Sequence, residues 1–512
     1  MDKSYSAQLS RRQFIRQAAC AAVGTVAISS TIRDLRMMNA MAAQCDLTDY
    51  KALVCIFLAG GNDSNNLVVP TIASEYSNYA NIRKPILAIP QSSLLPINPL
   101  NFDGHSYGFH PCFGDVNGHN GVADLFNQGQ LALLFNTGTL AYPLIKAQYN
   151  STPSKRPPQL FSHADQVTQW QTSIPDQPPL TGWGGRCADI LNCLQPNAPI
   201  SLNVSLAGAN TFEVGNQVSE YSVSTSGAIA LQGGITAGTA RYNTLTNILA
   251  QTYPNLQAQA YAGVGYHAIF TGAQLNNAIA TTADPNSSVQ FWTVPFPGSS
   301  PFQVVLPNPP TSGAKFNSSL GPQLKMIARL IEAGHRAAAS GGFGMKRQIF
   351  FCSVGGYDLH SGQTNAPAGG SVLDGAHSNL LAELSQCMWA FQNAMNQIGT
   401  LHGDPSFAQR VTAFTSSDFG RTFPTNGQGS DHGWGSHHLI MGGAVKGNST
   451  YGTFPTLVVS GPDDTSTGRW IPTTACDQYF ATLASWFGVD SSNLPDVFPN
   501  LARFASPNLG FV

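Results

Sequence analysis

Leu53-Val54-Cys55-Ile56-Phe57-Leu58-Ala59, which runs straight into Gly60-Gly61-Asn62-Asp63, is the stretch on which the fold turns. An unbroken apolar run of this length, closed by glycine, marks a strand covered on both faces, the kind found inside a parallel sheet. The pattern recurs where Gln348 to Val354 meets Gly355-Gly356-Tyr357-Asp358, and where Val411 to Thr415 meets Ser416-Ser417-Asp418. Each strand hands over to a carboxylate. Helical periodicity predicts helices over Pro322 to Ala339 and His377 to Ile398, with another over Ala475 to Phe487 near the end. Strands alternating with helices imply an α/β fold whose mostly parallel central sheet carries helices on both faces. Ligands of such sheets sit outside the carboxyl ends of the strands, so three acids are expected on one rim.

Outward from this framework the chain changes character. Residues 197–317, polar and rich in Ala, Asn, Gln, Ser and Thr with proline-dense stretches, are expected to form an insertion or cap with one helical portion near Thr244 to Ile279. The amino terminus is an address: Ser10-Arg11-Arg12-Gln13-Phe14-Ile15 is a twin-arginine signal, followed by a short apolar stretch from Ala18 to Ile32. That stretch is too short and too rich in small residues for a stable membrane span. It ends at Ala40-Met41-Ala42, so residues 1–42 are expected to be removed and residues 43–512 to form the α/β domain. Export by the twin-arginine translocase, to the periplasm or beyond, follows as the expectation.

Composition narrows the function classes. Only 10% of residues are charged, against about 25% in an average soluble protein, which suits a loop-rich secreted chain. The hydrophobic fraction of 42% excludes a disordered one. Losing residues 1–42 removes six basic and two acidic side chains and leaves the mature part near −6 in net charge. With no basic stripe left, nucleic-acid binding is not expected. Eight of nine cysteines remain after the signal, none at metal-binding spacing, and their pairing is open.

The polar groups that follow strands or punctuate glycine-rich loops are Asp63, Ser162 with His163 and Asp165, Asp358 with His360, Asp418 with Arg421, Asp431-His432 and His437-His438. Carboxylates and imidazoles gathered on one rim are the ligand set of a divalent cation, Zn, Mn, Mg or Ca. His437 and His438 open an apolar run, and neighbours on a strand face opposite ways, so at most one of them is expected at the site.

Gly60-Gly61-Asn62-Asp63, Ser162-His163, Gly355 through His360, Asp418-Phe419-Gly420-Arg421-Thr422, and Asp431 through His438 with Gly442 through Gly447 together resemble the domain-of-unknown-function 1501 family. This is a group of largely exported bacterial proteins thought related to alkaline phosphatases and sulfatases. The resemblance spans nearly all of the mature chain. It implies an alkaline phosphatase-like three-layer α/β/α sandwich with metal ligands Asp63, Asp358, His360, Asp418 and His432 and a serine nucleophile, Ser162. Two departures stand out: the Asp358-to-His360 spacing is two where the superfamily has four, and Phe419 stands where an Asp-His pair would place histidine. If Ser162 starts a helix, its positive end favours an anionic ester, and Arg421 is expected to grip phosphate or sulfate oxygens in a bidentate fork. The expected activity is metal-dependent hydrolysis of phosphate or sulfate esters. The alternative is a non-catalytic exported protein that keeps the fold and binds a glycan, a metal or a partner protein.

Overall fold

A computed structural model describes residues 46–114, 120–228, 231, 233, 235–282, 304–305, 315–316 and 318–512; the expected signal over residues 1–42 lies outside them. The stretch from Leu53 lies in the strand Lys51–Leu58, near the centre of a ten-stranded sheet. It pairs in parallel with Arg347–Val354 on one side and Val411–Ser417 on the other, and the three strands end level, Leu58 opposite both Val354 and Ser417. Beyond Arg347–Val354 lie Asn203–Ser205, Tyr221–Ser224 and Gly227–Ala228; beyond Val411–Ser417 lie Ser436–Gly442, Leu131–Gly138 and Ser449–Tyr451. Thr474–Ala475 also pairs with Leu131–Gly138. The sheet is mostly parallel, but Ser436–Gly442 runs antiparallel to both its neighbours. Its amino end therefore meets the carboxyl ends of the central strands, and the loop before it, which carries Asp431 and His432, joins their rim.

The alternation of side chains along Lys51–Leu58 explains why it is apolar throughout. Ala52, Val54, Ile56 and Leu58 pack into one core with Leu324, Ile327 and Ile331 of the helix Leu320–His335 and with Leu384, Met388 and Met395 of the helix Ala376–Leu401. Leu53, Cys55 and Phe57 enter a second core with Trp183 and Ile190 of the helix Trp183–Leu191 and with Phe480 and Leu483 of the helix Cys476–Phe487. A sheet with a helical layer and a buried core on each face is the α/β sandwich arrangement. Each fully buried Leu, Ile or Phe contributes about 1.5–3 kcal/mol, so the two cores hold the strand ends firmly in place.

The 197–317 stretch begins as sheet, since Asn203–Ser205 and Tyr221–Ser224 extend the parallel edge. It continues as two helices, Ala240–Leu249 and Leu256–Thr282, separated around Pro254, which cannot continue a helix. Among the described residues no helix is long and apolar enough to cross a membrane. Among the described residues six cysteines, Cys187 included, are buried free thiols, whereas Cys193 is disulfide-bonded.

Candidate metal centre

The turn after the first central strand brings the rim segments within touching distance. Gly60 and Gly61 both hold positive φ, and a Cβ on Gly60 would lie 2.4 Å from the backbone nitrogen of Asp358, one on Gly61 2.4 Å from the Phe419 ring. Only glycine allows the three strand ends to close up this far. Gly60 then ties them together: its N–H donates to Asp418 Oδ1 at 3.0 Å and its carbonyl accepts from Arg421 Nη1 at 3.1 Å.

Three imidazoles meet in front of this turn. His432 Nε2 lies 3.1 Å from His163 Nε2 and 2.9 Å from His360 Nε2. The Asp358 carboxylate closes the group, with Oδ1 at 3.1 Å from His360 Nε2 and 3.3 Å from His432 Nε2, and Oδ2 at 3.5 Å from His163 Nε2. His163, Asp358 and His432 each present one ligand atom within 4.8 Å of the other two. His360 adds a fourth donor beside them.

The opposite nitrogens decide what these donors are. His163 Nδ1 faces Asp418 Oδ2 at 2.7 Å, His360 Nδ1 faces Asp431 Oδ1 at 2.9 Å, and His432 Nδ1 donates to the Phe161 carbonyl at 2.8 Å. Carbonyl and carboxylate oxygens accept only, so each neutral ring carries its proton on Nδ1 and turns a bare Nε2 lone pair inward. Lone pairs facing one another at about 3 Å repel unless a cation lies between them, and histidine ligands held by carboxylate or carbonyl through the other nitrogen are the usual arrangement around metals. The donor set therefore fits a divalent ion, with imidazole nitrogen favouring the borderline metals over magnesium or calcium.

The electrostatics agree. Partial burial opposes ionisation of Asp358, but the Arg421 hydrogen bond and charge, with His360 and His163, outweigh it and hold the carboxyl below its ordinary range. Burial pushes His432 below the usual imidazole value, which favours the neutral ligand form. Phe419, fully buried, forms a floor, its ring centre 4.8 Å from that of His163 and 4.7 Å from that of His432. Phenylalanine at this position supports two of the imidazoles.

The expected site residues thus separate. Asp358, His360 and His432 converge. Asp418 touches the group through His163. Asp63 is buried at 2% exposure, ion-paired to Arg83 and hydrogen-bonded by Gln363 and Asn65, so its carboxylate is engaged away from the imidazoles. Burial raises its pKa, but the Arg83 charge outweighs that and keeps it ionised. Arg421, 1% exposed, is spent inside the protein on Asp358 Oδ1 at 2.6 Å and on the carbonyls of Gly60 and Ser430. Ser162 does precede a helix, His163–Thr172, and its Oγ donates to Asp165 Oδ2 at 2.6 Å. His437 and His438 belong to the core, His437 against Phe135 and Phe454, His438 against Trp170 and Tyr479. His163, which the structure places beside Asp358 and His432, is not among the ligands expected from the sequence; its position directly after Ser162, at the mouth of a loop-to-helix turn, is the available signal.

Residues 316–478 match the family described as protein of unknown function DUF1501. This supports the resemblance carried by the motifs, over less than half of the chain. The DUF1501 segment holds Asp358, His360, Asp418, Arg421, Asp431 and His432, while Asp63, Ser162 and His163 lie before it. No curated protein matches the chain.

Proposed function

We propose that the protein is an exported, metal-dependent hydrolase of phosphate or sulfate esters, of alkaline phosphatase type. The observation that carries the reading is the convergence of three Nε2 lone pairs and the Asp358 carboxylate, each imidazole locked from behind. A divalent cation held by His163, Asp358, His360 and His432 would supply Lewis acidity at an ester oxygen. The chain's own groups do the rest. Ser162, the residue before a ligand, is the nucleophile in this reading. As its Oγ forms the bond to phosphorus or sulfur, Asp165 takes the hydroxyl proton and the ester oxygen departs, taking a proton from solvent. Water then cleaves the serine ester and restores both groups. Arg421 acts here by positioning Asp358.

Export rests on the Ser10 to Ile15 motif, and the disulfide at Cys193 agrees with an oxidising compartment. The test is elemental analysis of purified protein followed by assay on aryl phosphate and aryl sulfate esters with added zinc or manganese. Bound metal with turnover of either ester supports the proposal; metal-loaded protein inert towards both refutes the hydrolase.

A further inference from the structure

With Arg421 committed to Asp358, the anionic end of a substrate needs another partner. Arg83 pairs with Asp63 and Arg421 with Asp358. Arg469 forms no ion pair among the described residues. Its Nε donates to the carbonyl of His432 at 2.7 Å, and its guanidinium lies 4.1 Å above the Phe161 ring centre. These anchors belong to the two segments that deliver His432 and His163, and the Phe161 carbonyl itself receives the His432 Nδ1 proton.

We infer that Arg469 is the binding residue for the oxyanion of the ligand at the metal centre, the group being a phosphate or sulfate monoester. The inference rests on the metal-site reading above. Its geometry is that of a pre-set fork. A guanidinium stacked on an aromatic face loses little freedom on binding, and with Nε occupied its two Nη groups remain to grip a pair of oxygens. The backbone is fixed as well: Arg469 N–H donates to Asp464 Oδ1 at 2.8 Å and its carbonyl accepts from Thr465 N at 3.1 Å. The carboxylates nearest in sequence are engaged with backbone, Asp464 with Ser460, Ser466 and Arg469, Asp463 with Thr456, so neither competes for the guanidinium. Arg469 is half-buried, which leaves it reachable from solvent. Phe161 holds φ at +73°, a conformation a bulky residue rarely adopts, so the platform under the guanidinium is maintained against strain.

The experiment is calorimetric titration of the metal-loaded protein with inorganic phosphate and inorganic sulfate, with metal content measured on each sample. Arg469→Gln keeps a donor for the His432 carbonyl and removes the charge; Arg469→Lys keeps the charge without the fork. Glutamine is expected to retain metal and weaken the better-bound oxyanion about 10- to 100-fold, with lysine between it and wild type. On an ester that turns over, KM should rise more than kcat falls. Oxyanion affinity unchanged in the glutamine variant overturns the inference, as does metal-loaded wild type that binds neither ion. Wild type that takes up no metal overturns the metal-site reading and this inference with it.

Discussion

Asp418→Asn removes one charge from behind the candidate metal centre while leaving its shape. The side chain is 3% exposed, and both its oxygens are used, Oδ1 by Gly60 N–H at 3.0 Å and Oδ2 by His163 Nδ1 at 2.7 Å. Asparagine can accept from one of these donors but turns an amide towards the other, and neither contact remains charge-assisted. A hydrogen bond to an ionised group contributes about 1.5–3 kcal/mol, against about 1 for a neutral pair. The difference, about 0.5–2 kcal/mol, acts through the basicity and orientation of His163. It corresponds to roughly a 2- to 30-fold loss of zinc affinity, overlapping the effect of other partners that hold a metal-binding histidine. Competition against a chromophoric chelator measures it directly, with thermal unfolding of the metal-free forms as the control for folding. Zinc affinity equal to wild type would refute the reasoning, because His163 would then owe nothing to Asp418.

Gly61→Ala places a methyl 2.4 Å from the Phe419 ring on a backbone at φ +86°; metal-free protein is expected to lose about 2 kcal/mol or more of stability in denaturant titration. Arg83→Met strands the buried Asp63 carboxylate and should cost about 3–5 kcal/mol by the same measurement, with Asp63→Leu added to the variant recovering part of it. Ser162→Ala separates a serine nucleophile from direct attack by water: abolished ester hydrolysis with metal content unchanged supports the former, activity within a few-fold of wild type the latter. Burial lowers His437 and His438 to about 3, so both stay neutral in the folded protein while the unfolded chain protonates them near 6.5. Their contribution is complete above pH 6.5 and is lost as the pH falls towards 3, at about 1.4 kcal/mol per pH unit for each. His438→Phe should flatten the acid limb of the stability curve by about that much, and an unchanged slope between pH 6 and 4 would refute it.

The central strands were legible because burial on both faces leaves an unmistakable residue pattern: the run from Leu53 became Lys51–Leu58, and the run from Gln348 became Arg347–Val354. The helices Ala376–Leu401 and Cys476–Phe487 lie within a few residues of their expected bounds for the same reason, a regular apolar stripe. The strand Leu131–Gly138 went unread, since its apolar run ends in Asn136 and Thr137 and hands over to no acid. Strand ends correctly placed Asp358 and Asp418 at the rim. What local pattern does not contain is which charges cancel in space. Asp63 follows a strand just as Asp358 does, yet Arg83, on a separate helix, takes its charge. Arg421 has the composition of an anion fork and is instead an internal strut.

The four groups proposed to hold a cation come from segments about 161–163, 358–360 and 431–432, and each imidazole is oriented by an atom from a different part of the chain. An unfolded chain has no such constellation, so the free energy of binding a cation there would accrue almost wholly to the native state. At a cation concentration a hundred times the dissociation constant this adds about 2.7 kcal/mol to global stability. Under the proposed function the cation would be a chemical report on folding: a chain whose sheet has not closed could not retain it, and a chain that retained it would resist unfolding, proteases included, with the logarithm of the supply.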